Sequence, residues 1–114
     1  NMEFSRPQIV DLVIVAVEDL GLSGNHTMEE IYGAANDLGL DYCPDETAAQ
    51  VLLQCNIDLT GNRGELQFAM DPSRRGGHGF RIREHESKNY LTRFSNSPRY
   101  QRSGYEKFVF VLRK

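Results

Sequence analysis

The side chains best suited to acid–base chemistry lie close together in the second half of the chain, where His78 and His85 bracket Arg81 and Arg83. Cleavage at a ribose 2′-hydroxyl needs a base to take its proton, an acid for the leaving oxygen, and a cation to stabilise the charged phosphorane. Imidazoles titrate near neutrality and guanidiniums stay charged, so these four residues could form a ribonuclease or toxin centre, with Glu84, Glu86 or Tyr90 as substitutes. Geometry limits the idea. If Gly79 to His85 is a strand, Glu84 leaves the face opposite to Arg83 and His85, and the set converges only around a bulge.

The same region supports a reading without catalysis. Arg74, Arg75, Arg81, Arg83, Lys88, Tyr90, Arg93, Arg99, Tyr100 and Arg102 interleave cations with aromatic rings. Guanidiniums pair with phosphates and rings stack on unpaired bases, so this pattern suits RNA better than duplex DNA. The competing account is a solvated outer sheet face with a basic loop, partly neutralised by acidic helices.

Charge is divided along the chain. Residues 1–60 hold 11 Asp/Glu against the single base Arg6, whereas residues 61–114 hold 12 Lys/Arg against 5 Asp/Glu. The halves therefore carry −10 and +7 beneath a net charge of −3. Clustered charge of one sign projects a field into solvent, so the halves suit partners of opposite sign or complement each other within one fold.

Other chemistries lack their signatures. There is no Gly-Lys-Ser/Thr phosphate loop, and the Gly-rich stretch Arg74 to Gly79 lacks a strand-to-helix setting. No His-x-x-x-His or Cys-x-x-Cys pair proposes a metal, and no cofactor is implied. Cys43 and Cys55 fall at opposite ends of an expected helix, roughly 18 Å apart at 1.5 Å per residue, too far for a disulfide. Cys43 reads mainly as a packing residue, although an exposed thiol at a helix N-terminus would have a lowered pKa. The longest apolar stretch, Leu12 to Val17, is far short of the roughly 20 residues of a membrane span. No secretory pattern opens the chain, so a cytoplasmic location without membrane contact is expected.

At 114 residues the chain is expected to form a single domain, 1–114, with an acidic helical half (1–60) and a basic β half (61–114). Three helices are expected in the first half. Ser5-Arg6-Pro7-Gln8 has the form of a capping box ahead of the apolar run from Ile9 to Val17. Thr27-Met28-Glu29-Glu30 is a second box, with Ile31, Ala34, Ala35 and Leu38 on one face. Cys43-Pro44-Asp45-Glu46 opens the third, which would bury Ala48, Val51, Leu52 and Cys55. Asp-Leu-Gly-Leu occurs at residues 19–22 and 37–40, and each copy reads as a helix stop with its glycine left-handed. The third helix follows the second closely enough to suggest a DNA-reading helix-turn-helix. Asp45 and Glu46 at its start, and the absence of Lys or Arg from 44 to 54, make phosphate contact repulsive.

The second half alternates. Leu66, Phe68 and Met70, then Phe80 and Ile82, then Phe108, Phe110 and Leu112 mark inward positions of strands, and Tyr90 to Phe94 is a shorter candidate. The expected fold is therefore α+β: three N-terminal helices packed on a C-terminal antiparallel sheet of three or four strands.

Several of these positions resemble a family of small uncharacterised bacterial proteins. Its members run from a Thr-x-x-Glu-Ile helix through Leu-Gly-Leu-x-x-Cys-Pro to a Phe-Val-Phe ending. The matching residues are Glu30, Ile31, Leu38, Gly39, Leu40, Cys43, Pro44, Glu46, Gln54, Met70, Pro72 and Phe108 to Phe110. The likeness covers roughly residues 9–114 and implies a fold, not an activity; members carry tryptophans in the strand region, where this chain has none.

Together these observations favour a noncatalytic binding module that uses a basic sheet and loop surface for an anionic partner, RNA or an acidic protein. The alternatives are the ribonuclease or toxin centre and an antitoxin or immunity-type protein that presents its acidic helices.

Overall fold

The computed structural model describes residues 11–54, 59, 64–73, 77–95, 99 and 101–113. The Ser5 capping box, Cys55, Arg74, Arg75 and Tyr100 lie outside the described residues. The strands are β1 (Leu12–Ala16), β2 (His26–Thr27), β3 (Leu40–Asp41), β4 (Glu65–Phe68), β5 (His78–His85), β6 (Lys88–Ser95), β7 (Gln101–Arg102) and β8 (Lys107–Leu112). Among the described residues two α-helices accompany them, α1 (Met28–Asp37) and α2 (Thr47–Gln54), with a 3₁₀ turn at Val17–Leu20.

This architecture overturns the expectation of three helices on a three- or four-stranded antiparallel sheet. Where the first helix was expected, Leu12–Ala16 forms a strand paired antiparallel with β8, from Leu12 opposite Val111 to Ala16 opposite Lys107. A short apolar run fits a buried helix and a strand equally well by period. Val13, Ile14 and Val15 decide it, because branching at Cβ restricts a helical side chain and suits a pleated surface. The large sheet has the order β1-β8-β4-β5-β6, with β3 pairing the end of β8, while β2 and β7 form a separate ribbon. The sheet is mixed: β4 and β8 run parallel and the other pairings are antiparallel.

The second expected helix is present. Thr27 caps it: its hydroxyl accepts from the Glu30 amide at 3.2 Å, and the Glu30 carboxylate accepts from the Thr27 amide at 2.9 Å. These reciprocal bonds satisfy amides that the first helical turn leaves open. Ile31 and Ala35 are buried as expected, and so is Tyr32, whereas Leu38 is exposed. Both Asp-Leu-Gly-Leu copies end helical segments with a left-handed glycine, Gly21 after the 3₁₀ turn and Gly39 after α1, each at φ +85°. The third helix starts later than expected, at Thr47, behind a turn at Asp45 and Glu46.

The sheet has core on both faces. Side chains of one face of β8, Phe108 and Phe110, join Val17, Met28, Ile31, Tyr32, Ala35 and Phe94 in a cluster under α1. Val109, pointing the other way, joins Phe68, Leu66, Ile82 and Ala48 of α2. Double coverage explains why Gln67, Ala69 and Val109 are as buried as their expected inward neighbours: alternation fades where both faces are packed. The two helices take opposite faces and different stretches of the sheet, α1 near β8 and α2 over β5 and β6. The α1 face of the outer part of the β5–β6 hairpin is left exposed. No described helix is long and apolar enough to cross a membrane.

Candidate functional site

The exposed face of the β5–β6 hairpin is built by its register. Arg81 lies opposite Thr92, Arg83 opposite Tyr90, and His85 opposite Lys88, all on the face that carries Gly79 and Phe94 nearer the core. Directly opposed side chains sit about 5 Å apart and successive pairs about 7 Å apart, so Arg83, Tyr90, His85 and Lys88 form one patch. Each of the four is exposed, with Tyr90 47% accessible. A concavity of 460 Å³ is lined by Arg83, Glu84, His85, Tyr90 and Thr92.

The hairpin turns through Glu86 and Ser87, both left-handed at φ 51° and 66°. Two positive-φ residues in a two-residue loop define a type I′ turn, whose twist matches the strands and which favours Asn-Gly. Residues with a Cβ are strained there by roughly 1–2 kcal/mol each. His85 approaches the Glu86 carboxylate at 3.9 Å in open solvent.

The sequence-predicted residues separate into distinct groups. Arg83, Lys88 and Tyr90 join the open patch, and neither Arg83 nor Lys88 has a carboxylate within 4.0 Å among the described residues. Arg81 is half-buried at its base, donating to the Thr92 hydroxyl at 3.1 Å and lying 3.6 Å from Glu65. Arg93 is exposed on the opposite face of β6, and Arg99 is exposed in a turn. Arg102 is buried. Its guanidinium donates to Glu106 at 3.0 Å and to the Ser95 carbonyl at 3.4 Å, and stacks over Phe94 and Phe108 at 5.1 and 5.9 Å from their centroids. Glu106 also accepts from the Ser103 amide and from Gln67. Arg102 therefore works as a core strut joining β7 to the strands around Phe94.

The histidines do not meet. They are seven residues apart on one extended strand, roughly 23 Å at ~3.3 Å per residue, and an odd separation sends them to opposite faces. Glu84, too, projects from the face opposite His85. Cys43 is buried, donates its thiol to the Val109 carbonyl at 3.3 Å, and has its pKa pushed up by burial to about 12, so it is held as a packing group. Among the described residues no group of three His, Cys, Asp or Glu is placed to hold a metal ion.

The charge asymmetry persists in the fold. Among ion pairs between described residues, Arg81–Glu65, His85–Glu86 and Arg102–Glu106 fall inside the basic half and His26–Glu30 inside the acidic half; only Arg113–Asp41 joins the two. The Arg113 hydrogen bond holds the Asp41 carboxyl below its ordinary range.

Sequence reasoning missed two features of the molecule. One is the strained turn, which lacks the Asn-Gly signal that marks a tight hairpin. The other is a second concavity between α1 and β3, whose walls come from residues distant in sequence. Its one local sign is a glycine in the middle of a helix, Gly33. No family model, curated protein or solved structure matches the chain.

Proposed function

We propose that this protein is a noncatalytic binding module whose β5–β6 hairpin receives an anionic partner, with an unpaired RNA segment as the ligand its chemistry suits best. The observation that carries this reading is the convergence of Arg83, His85, Lys88 and Tyr90 on one exposed face. Arg83 supplies a planar fork for a phosphate, Lys88 a point charge, and Tyr90, directly opposite Arg83, a ring on which a base can stack. Strain is tolerated where surroundings or function hold it, and the Glu86–Ser87 turn sets the spacing of His85 and Lys88 at the tip.

The separation of His78 from His85 favours binding over the ribonuclease reading, which needs two proton-transfer groups about one phosphate. The antitoxin or immunity reading has less support from α2, because Thr47–Gln54 contains no acidic residue.

The test is retention of a labelled single-stranded RNA between about 50 and 200 mM salt, with cleavage scored on the same gel. Native protein should retain RNA with a steep salt dependence and leave it intact. Replacing both Arg83 and Lys88 by alanine should lower the slope of log affinity against log salt by about 1.4, at ~0.7 per phosphate contact on a single strand. Tyr90→Ala should weaken binding by about 1–3 kcal/mol with little change in slope. Equal retention by the Arg83/Lys88 double variant would refute the hairpin as the site. Absence of RNA binding at low salt would redirect the search to an acidic protein.

A further inference from the structure

The concavity between α1 and β3 encloses 520 Å³, within the range of small-molecule sites. Its floor and wall are aromatic. Tyr32 meets Tyr42 at 5.0 Å between centroids and Phe110 at 6.3 Å, with interplanar angles of 83° and 89°. Tyr32 and Phe110 are buried, while Tyr42 stands 40% exposed. Two rings set at right angles to Tyr32 make with it an apolar corner with π-electron density, an environment that attracts cations.

Two further observations bear on this space, one on its openness and one on the charge of a ligand that would suit it. Gly33 sits within α1, where glycine costs about 1 kcal/mol relative to alanine. A Cβ built there would meet nothing within 4 Å, so packing does not require the glycine. Its missing side chain leaves the wall of the concavity low. The second observation is charge. Asp41 on the rim is already bonded to Arg113 at 2.7 Å, but Glu29, also lining the space, is exposed and has no ion-pair partner among the described residues. The Tyr42 hydroxyl has its pKa raised by burial first and by the negative charge of Asp71 second, so the acidic field extends to the aromatic wall.

We propose that the α1–β3 concavity binds an organic ammonium cation that carries an apolar group. The apolar part would lie against Tyr32 and Phe110, and the ammonium would lie beside Tyr42 and Glu29. Arg113, bonded to Asn36, Leu40 and Asp41 of the rim, neutralises Asp41 and leaves Glu29 as the carboxylate that would repel an anion, while a neutral ligand would gain nothing from Glu29. This inference is independent of the hairpin reading, since the two surfaces share no residue.

The experiment uses three probes of nearly one shape, phenethylammonium, phenethyl alcohol and phenylacetate, titrated into isotope-labelled protein while backbone amide shifts are followed. Phenethylammonium should move amides of α1 and of Leu40 to Tyr42, and bind at least about fivefold more tightly than the alcohol, as expected for a cation at aromatic rings beside a carboxylate. Phenylacetate should leave those amides unmoved. Glu29→Gln should weaken the ammonium and narrow its advantage over the alcohol, leaving the part that comes from the rings. Gly33→Leu should narrow the concavity and weaken binding, with a thermal midpoint unchanged or raised because leucine is the better helix former. Equal affinity for ammonium and alcohol, shifts centred elsewhere, or undiminished binding by a folded Gly33→Leu protein would each overturn the proposal. If Gly33→Leu fails to fold, the exposed and isosteric Glu29→Gln decides, and ammonium affinity unchanged in that variant overturns it.

Discussion

Gly79 is the position where a single methyl group should do most damage to the hairpin. It lies directly opposite Phe94 across β5 and β6, and the Phe94 ring folds back over it. A Cβ on Gly79 would stand 2.6 Å from Cζ and 2.7 Å from Cε1 of that ring. The ring has little room to retreat: Phe94 is 5% exposed, with Arg102 stacked on it and Phe108 at 6.3 Å. Overpacking of this kind costs about 1–3 kcal/mol, from which the lower unfolded-chain entropy of alanine subtracts about 0.4–1. Gly79→Ala should therefore destabilise by about 1–2 kcal/mol, a fall in thermal midpoint of roughly 4–8 °C for a chain of this size. A double-mutant cycle with Phe94→Leu, read by urea denaturation, isolates the cause. With the ring gone, the added methyl should be nearly neutral, so the two losses should fail to add by at least about 1 kcal/mol. A Gly79→Ala loss of equal size in both backgrounds would refute the steric argument. A gain in stability would show that the ring yields freely.

Arg102→Met should cost about 3 kcal/mol, because it strands Glu106 in a half-buried site; Arg102→Met with Glu106→Gln should recover part of that, and neither folded variant should change the salt slope for RNA. Replacing Glu86-Ser87 by Asn-Gly should raise stability by about 1–2 kcal/mol by relieving the left-handed strain, measured by chemical denaturation; a loss would exclude the type I′ geometry. Arg113 holds the folded-state pKa of Asp41 below its ordinary 3.8. The stabilisation is thus complete above that value and is lost as pH falls through the lowered pKa. Arg113→Gln should flatten the decline of stability in this acid range, and an unchanged acid profile would show that the pair contributes nothing.

The basic half was more legible than the acidic half. Alternation at Leu66–Phe68, Phe80–Ile82 and Phe108–Phe110 located β4, β5 and β8, because large apolar residues recur at period two between turn-forming loops. The Thr27 box located the start of α1, because that bond pattern is local. What failed was non-local. Nothing within Leu12 to Ala16 indicates that β8 waits 90-odd residues away to pair with it, and the parallel β4–β8 pairing has no local signature. The basic patch was legible as composition. Its membership was not, since burying Arg102 and turning Arg93 to the other face depend on register and on Glu106, Phe94 and Phe108.

Sheet order also decides whether the acidic half can mask the basic hairpin. From β8, beneath α1, to the edge strand β6 there are three strand spacings, about 14 Å at 4.8 Å each. That exceeds the Debye length of ≈ 8 Å at physiological ionic strength but is well inside the ≈ 30 Å of 0.01 M salt. At physiological salt, then, a polyanion near the hairpin is influenced mainly by the charges of the hairpin itself, Arg83 and Lys88 against Glu84 and Glu86, and the carboxylates of α1 are largely screened from it. At low salt the same carboxylates also reach the polyanion and offset part of the attraction of the hairpin, so the gain in affinity on lowering salt is smaller than the hairpin cations alone would give. Charge separation by strand order thus makes the two surfaces electrically distinct under the conditions of a cell, while leaving them coupled in dilute buffer. The two proposed ligands, an anion at the hairpin and a cation in the α1–β3 concavity, would therefore meet different fields on one small domain.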